Sequence, residues 1–210
     1  MLKLIFRTAL LLLVVLFGAV LFSQAQNASV YFGLGSATDS SNGQPLDTFG
    51  DTTGPTMGGL FGTFGGDVMF RPNFGFGAEY SFRTSQADYA PNAGVNYRPV
   101  FYDFNGIWHP VLSNSRIVPE FQAGLGGVDL KFYETETECA VSNVCSTLNE
   151  YIASSNHFQV HFSGGVRFYV NSGLFIRPQF DLHWVNNFQE FGRNWVPQYS
   201  VAVGYTFGGR

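Results

Sequence analysis

A serine, an imidazole and a carboxylate are the ingredients of nucleophilic hydrolysis. All three occur in two neighbouring stretches, "HFQVHFSGGVRFYV" (157–170) and "LFIRPQFDLHWV" (174–185). The turn "NSG" at 171–173 joins them. If Val170 faces Leu174 across that turn, antiparallel pairing sets Tyr169 against Phe175, Arg167 against Arg177, Ser163 against Asp181 and His161 against His183. Ser163, His161, Asp181 and His183 then share one face of a two-stranded ladder. A hydrolase also needs an oxyanion hole and room for a substrate carbonyl. Nothing in the stretch supplies either, so the structural reading is preferred and no residue is assigned as catalytic. His157 and His161 have a metal-like spacing only on a helix. On a strand they lie about 13 Å apart, at roughly 3.3 Å per residue, too far to share an ion. Gly33/Gly35 and Gly75/Gly77 do not extend into a phosphate-cradling GxGxxG that opens a helix. No metal and no cofactor is expected.

A larger set of charges is organised by parity. Asp67, Glu79, Arg83, Asp103, Glu120, Asp129, Lys131, Arg167, Arg177 and Asp181 fall on one face of alternating segments, together with Gly75, Gly77, Gly165, Gln122 and Gln179. The opposite face holds Phe74, Phe76, Tyr80, Phe82, Phe158, Phe162, Phe168, Ile176, Phe180 and Trp184. Strands that turn one face to water have no use for so many glycines, which weaken a strand. A narrow lumen does, because large side chains opposite must fit. Six acids and four bases there would satisfy one another, and a buried charge left alone is very costly.

The elements that must position this face are eight alternating segments, near 28–35, 58–70, 74–83, 97–109, 116–132, 158–170, 174–186 and 198–207. Most are long enough to cross a bilayer as tilted strands of about 9–11 residues. Tight turns at 71–73, 110–115 and 171–173 alternate with long polar connections near 36–57, 84–96, 133–157 and 187–197. Across "RPN" (71–73), Phe70 faces Phe74, which sets Gly65 against Glu79 and Thr63 against Ser81. Both turn registers keep each face consistent. Gly126-Gly127 breaks the alternation of the fifth segment, and a bulge there would restore it. Short turns on one side and long loops on the other predict an all-β, eight-stranded antiparallel up-and-down transmembrane barrel. An even strand count puts both termini on the short-turn, periplasmic side.

Composition agrees. Lys3 and Arg7 precede an apolar run from Ala9 to Phe22, and Ser23-Gln24-Ala25 offers small residues for cleavage, so residues 1–25 read as a secretory signal peptide. The barrel domain is then 26–210. Losing Lys3 and Arg7 leaves nine bases against 15 acids, a net charge of −6. With no basic run, nucleic acid is excluded as a partner. Only 12% of residues are charged while 17% are aromatic, against about 25% charged in a soluble domain. Cys139 and Cys145 lie in the polar stretch "ETETECAVSNVCSTLNE". Export predicts a disulfide between them. A loop this small would gain roughly 2 kcal/mol on the chain-entropy model. Two thiols without further ligands cannot complete a zinc site.

The topology, "GGVRFYVNSGLFIRPQFDLHW" (164–184) and the closing alternation "QYSVAVGYTFGGR" (198–210) resemble the outer membrane β-barrel superfamily, typified by the small eight-stranded OmpA/OmpX-type barrels. The resemblance spans the whole mature chain. It implies that Tyr199, Val201, Val203, Tyr205 and Phe207 form the signal read by the barrel-assembly machinery during insertion, although Gly208, Gly209 and Arg210 follow the terminal aromatic. It further implies contact with outer-membrane lipid, a monomer, and a structural or surface-interaction role through extracellular loops whose partner is unknown. The polar, filled lumen is no porin-sized channel. One alternative is a lipid hydrolase of the lipid A deacylase type. There the resemblance requires a His-x-Ser-Asn pattern, and His183-Trp184-Val185-Asn186 has valine at the nucleophile position. A second alternative is a soluble lipocalin-like barrel with a ligand inside, which requires both faces to be inverted.

Overall fold

The computed structural model describes residues 27–39, 55–90, 94–110, 116–139, 145–188 and 191–208. Period-two alternation governs these stretches, and they fold as nine strands. These are β1 (Asn27–Ala37), β2 (Phe61–Met69), β3 (Phe74–Arg83), β4 (Ala87–Ala90), β5 (Val95–Trp108), β6 (Ile117–Cys139), β7 (Cys145–Tyr169), β8 (Leu174–Val185) and β9 (Trp195–Phe207). Each of the long strands pairs antiparallel with its sequence neighbour, β9 returns to β1, and β3 pairs directly with β5. Eight strands therefore close a wall with no free edge. The short β4 lies within the connection expected to be a loop and extends β5 at the long-loop end. Residues 1–26, expected to hold the signal peptide, most of the first long loop and the chain terminus lie outside the described residues.

The turns set the register as their composition requires. Arg71 and Phe74 exchange backbone hydrogen bonds of 3.1 and 3.3 Å around Pro72. Asn171 Oδ1 accepts from the amides of Gly173 and Leu174 at 3.0 and 2.8 Å, an Asx turn. The expected pairs Thr63–Ser81, Gly65–Glu79, Ser163–Asp181, His161–His183 and Tyr169–Phe175 all occur. Arg167 and Arg177 occupy opposed positions, but the β7–β8 ladder is interrupted there, between Gly165–Gln179 and Phe168–Ile176. Pro178 stands in that interval and has no amide hydrogen to donate.

Two expectations about β6 are corrected. The ladder runs without a shift through Gly126 and Gly127, which face Asp103 and Tyr102 on β5. The irregularity lies at Phe132/Tyr133, where β7 contributes one extra residue. Parity is therefore conserved up to Leu130. Val128 and Leu130 point inward and are buried, whereas Asp129 and Lys131, expected in the lumen, stand on the outer face. The connection expected as a loop over 133–157 is paired strand over its described residues, 133–139 and 145–157. β6 and β7 stay paired beyond the barrel as far as Cys139 opposite Cys145.

The outer surface is apolar. Phe104 and Phe76 are 71% and 62% exposed, and Val30, Phe32, Phe64, Leu125, Phe158, Val201 and Val203 continue the belt. Leaving a large apolar side chain in water forfeits roughly 2 kcal/mol, so a belt of this extent belongs against hydrocarbon. The wall's closure meets the same demand, since within the barrel each of the eight long strands is paired on both sides. At the long-loop end apolar side chains turn inward, and on β5 and β6 the two faces exchange character, while β8 and β9 keep Trp184 and Trp195 outside. Tyr97, Phe101, Val128, Leu130, Val185 and Val196 turn inward, while Arg98, Asp129 and Lys131 stand outside. That inversion marks where the wall leaves hydrocarbon and meets water.

Candidate functional site

Strand alternation delivers a polar side chain to the lumen from every long strand. Toward the short-turn end, Arg167 on β7 and Arg177 on β8 are the cations, and both are fully enclosed. Arg167 Nη2 donates to Asp67 Oδ2 at 2.7 Å, its Nη1 to Ser29 Oγ at 3.0 Å, and it also pairs with Glu120. Arg177 bridges two carboxylates at 3.0 Å each, Glu120 through Nη1 and Glu79 through Nη2. Its guanidinium lies 3.6 Å from the centre of the Tyr31 ring, and the Tyr31 hydroxyl donates to Glu79 at 2.9 Å. Glu120 is further held by His109 Nε2 and Gln122 Nε2, both at 2.8 Å. Asp67 takes both Nη atoms of Arg167, and Glu79 and Glu120 each meet a guanidinium and a second polar partner, which is the condition under which buried ion pairs persist.

Of the charges expected in the lumen, Asp67, Glu79, Asp103, Glu120, Arg167, Arg177 and Asp181 are brought together inside. Arg83 faces inward but stands at the long-loop mouth, where its Nη1 donates to the carbonyl of Thr56 at 3.3 Å. It is remote from the acids it was expected to serve. Asp129 and Lys131 are outside the network, for the parity reason given above. His109 and Tyr31 belong to it and were not foreseen. Their inward parity was readable from β5 and β1, but neither carries a charge that draws attention in a sequence.

Above this layer sits a second polar group. His161 Nε2 lies 3.0 Å from Asp181 Oδ1, and its Nδ1 lies 2.9 Å from Asn105 Oδ1 and 3.3 Å from Asp103 Oδ1. Asn105 in turn donates to Asp103, and Gln179 to Asp181. His183 stacks on His161 at 4.8 Å between ring centres and on Phe101 at 4.6 Å. Among the described residues neither His183 ring nitrogen has a hydrogen-bond partner, and neither does Ser163 Oγ. An orphaned buried polar group costs about 1–3 kcal/mol. Ser163, His161, Asp181 and His183 do meet as expected, but not as a hydrolytic array. Both His161 nitrogens face other partners, and Ser163 approaches neither imidazole within hydrogen-bonding distance. Asp103 reaches His161 across the lumen from β5, two strands away, a contact that pairwise register could not reveal.

The long-loop half of the interior is apolar. Phe188 and Phe191, from the connection between β8 and β9, stack at 4.3 Å over Val185, Val196 and Tyr97. Met57 and Phe61 close the other side with Phe101, Val128 and Leu130. A lumen expected to be polar throughout is polar over half its height and plugged by hydrocarbon over the rest.

The remaining assigned residues lie on the surface. Tyr199, Val201, Val203, Tyr205 and Phe207 all project outward from β9, the strand that closes the barrel against β1. Cys139 and Cys145 are opposed in the backbone register, but their side chains lie outside the described residues.

No family model and no curated relative matches the sequence. Solved structures do. Neisserial surface protein A is 11% identical, with 86% of this chain and 97% of that one covered and a TM-score of 0.55. A major outer membrane protein of Thermus thermophilus is also 11% identical, covering 86% and 99%, with a TM-score of 0.55. The attachment invasion locus protein Ail of Yersinia pestis, solved with the heparin analogue sucrose octasulfate, is 11% identical over 86% and 98%, with a TM-score of 0.52. At such identities the likeness is one of architecture: this chain has the closed, eight-stranded antiparallel barrel fold of small outer-membrane proteins.

Proposed function

We propose that this protein is a monomeric barrel of the bacterial outer membrane whose role is structural and surface-interacting, neither enzymatic nor pore-forming. The leader 1–25 directs export and is removed, and the exposed alternation of β9 is the signal that the assembly machinery reads. The observation that carries the reading is the projecting hairpin. Past Phe132/Tyr133, β6 and β7 continue as paired strands for seven residues of β6, roughly 20 Å at about 3.3 Å per residue. Tyr151 and Ile152 are 54% and 49% exposed on this arm, and Asn149 donates to Gln86 at 2.8 Å, tying the arm to the neighbouring connection. A rigid arm with exposed apolar side chains presents a contact surface on the extracellular side. The Cys139–Cys145 disulfide staples its tip.

The interior supports the negative half of the proposal. A guanidinium–carboxylate layer beneath an apolar plug leaves no continuous polar path for solute, and Ser163 lies inside the wall, away from lipid. The test is fractionation combined with surface labelling. Single cysteines at Tyr151 and at Ser172, in a background with Cys139 and Cys145 replaced, are treated on intact cells with a membrane-impermeant maleimide. The expected result is recovery in the outer-membrane fraction with labelling at 151 and not at 172. Buffer-soluble protein, or labelling at 172 alone, would overturn the location or its orientation.

A further inference from the structure

The upper polar layer carries an imbalance that the barrel wall does not explain. Among the described residues five carboxylates are buried in the lumen (Asp67, Glu79, Asp103, Glu120 and Asp181), and the two guanidiniums Arg167 and Arg177 serve Asp67, Glu79 and Glu120. Asp103 and Asp181 are left with His161. Beside them His183, 2% exposed, offers two ring nitrogens without a hydrogen-bond partner among the described residues. A surplus of buried negative charge next to an unused imidazole is the chemistry of a cation site.

We propose that Asp103, His161 and His183 bind one borderline divalent cation of the zinc type inside the barrel. The geometry is half built. Asp103 Oδ1 and His161 Nδ1 are 3.3 Å apart, at the short end of the edge of about 3.3–3.6 Å that a coordination tetrahedron with bonds of about 2.0–2.2 Å requires. A ligand atom of His183 lies within 4.8 Å of the other two. It must close by at most about 1.5 Å to complete a tetrahedral face, and among the described residues its ring has no hydrogen bond to break in doing so. The supporting groups are in place. His161 Nε2 faces Asp181 Oδ1 at 3.0 Å, which orients the ring as in the carboxylate–histidine–metal arrangement, and Nδ1 exchanges its contact with Asn105 Oδ1, 2.9 Å away, for the ion. Asn105 donates to Asp103 and fixes that carboxylate. Two imidazole ligands with one carboxylate favour zinc, nickel or cobalt over calcium or magnesium, which take oxygen ligands. The plug above and the ion pairs below enclose the site, so the ion is captured as the barrel closes.

The test uses cobalt(II) as the spectroscopic probe. The full chain is refolded into detergent micelles with cobalt and desalted. Heat-modifiable gel migration scores how much is folded. The expected result is one cobalt per folded barrel with the visible d–d bands of tetrahedral coordination. His183→Leu and Asp103→Asn lose both, whereas Ser163→Ala, inward on the same strand as His161, retains them. Zinc raises the unfolding midpoint of the parent and not of His183→Leu. If His183→Leu fails to fold, the milder Asp103→Asn decides. Folded parent protein that retains no more cobalt than these variants, with a midpoint indifferent to zinc, overturns the proposal.

Discussion

Arg177→Leu removes the cation that joins the two ends of the lower polar layer. Arg177 is fully buried, bridges Glu79 and Glu120 at 3.0 Å each, and lies against the Tyr31 ring. The two carboxylates are not equally hurt. Glu120 keeps Arg167, His109 and Gln122, while Glu79 keeps only the Tyr31 hydroxyl and Gln179 among its described partners. Glu79 is therefore the stranded charge. Breaking a buried pair by removing one partner costs about 3–5 kcal/mol, and Arg177→Leu is expected to fall in that range. Glu79→Gln in the same chain removes the orphan yet still accepts from Tyr31. The double variant is expected to regain at least about half of the loss, a coupling available only to residues in direct contact. Urea titration in micelles, followed by tryptophan fluorescence and gel migration, measures both. Lys131→Ala is the control. Placed outside by parity, Lys131 is expected to change stability by no more than about 0.5 kcal/mol. Additive losses in the double variant, or a cost for Lys131→Ala equal to that for Arg177→Leu, would refute the assignment of faces and of the network.

Three further outcomes follow from the packing. Gly126→Ala should block or strongly impair folding, because its Cβ would strike the Tyr102 carbonyl on the adjoining strand, whereas Gly106→Ala, with the nearest atom 3.7 Å away, should fold normally; refolding yield compares them. Phe191→Ala empties part of the apolar plug and should cost about 3 kcal/mol while leaving planar-bilayer conductance at baseline, since the ion pairs beneath still fill the lumen. Thiol labelling with and without reductant should find Cys139 and Cys145 accessible only after reduction, and Cys139→Ser/Cys145→Ser should insert as the parent does. Two free thiols in oxidised protein would remove the staple.

The strand wall was legible because lipid and lumen impose opposite demands on alternate residues. Phe74, Phe76 and Tyr80 against Gly75, Gly77 and Glu79 can be read no other way. Legibility failed where that contrast fades. Gly126-Gly127 carries no side-chain signal on either face, so a bulge there was indistinguishable from unbroken pairing, and the wrong choice sent Asp129 and Lys131 inward. Beyond Phe132 the sequence is polar at successive positions, "ETETE" at 134–138, and polar residues on both sides of a ladder look like a loop. The plug was missed for the converse reason. Val128 and Leu130 are apolar where the outer face carries Arg98, Asp129 and Lys131, so the rule that assigns apolar residues to lipid reverses its sign, and beside Val185 and Val196 both faces are apolar and the rule gives no direction. The Asp103–His161 contact spans the lumen between strands that do not pair, and only closure brings it about.

That closure has a kinetic consequence. Arg167 reaches Ser29 across 138 residues of chain, and Arg177 reaches Glu79 across 98. Contacts this distant in sequence contribute nothing until the loop-closure entropy has been spent. A half-assembled sheet in the bilayer would hold the same carboxylates and guanidiniums with an open edge and unpaired backbone beside them. Partially formed barrels are thus penalised twice, and the charged layer acts as a latch that engages only when β9 meets β1. Insertion and closure become a single cooperative event, and opening requires all of the latch to release together.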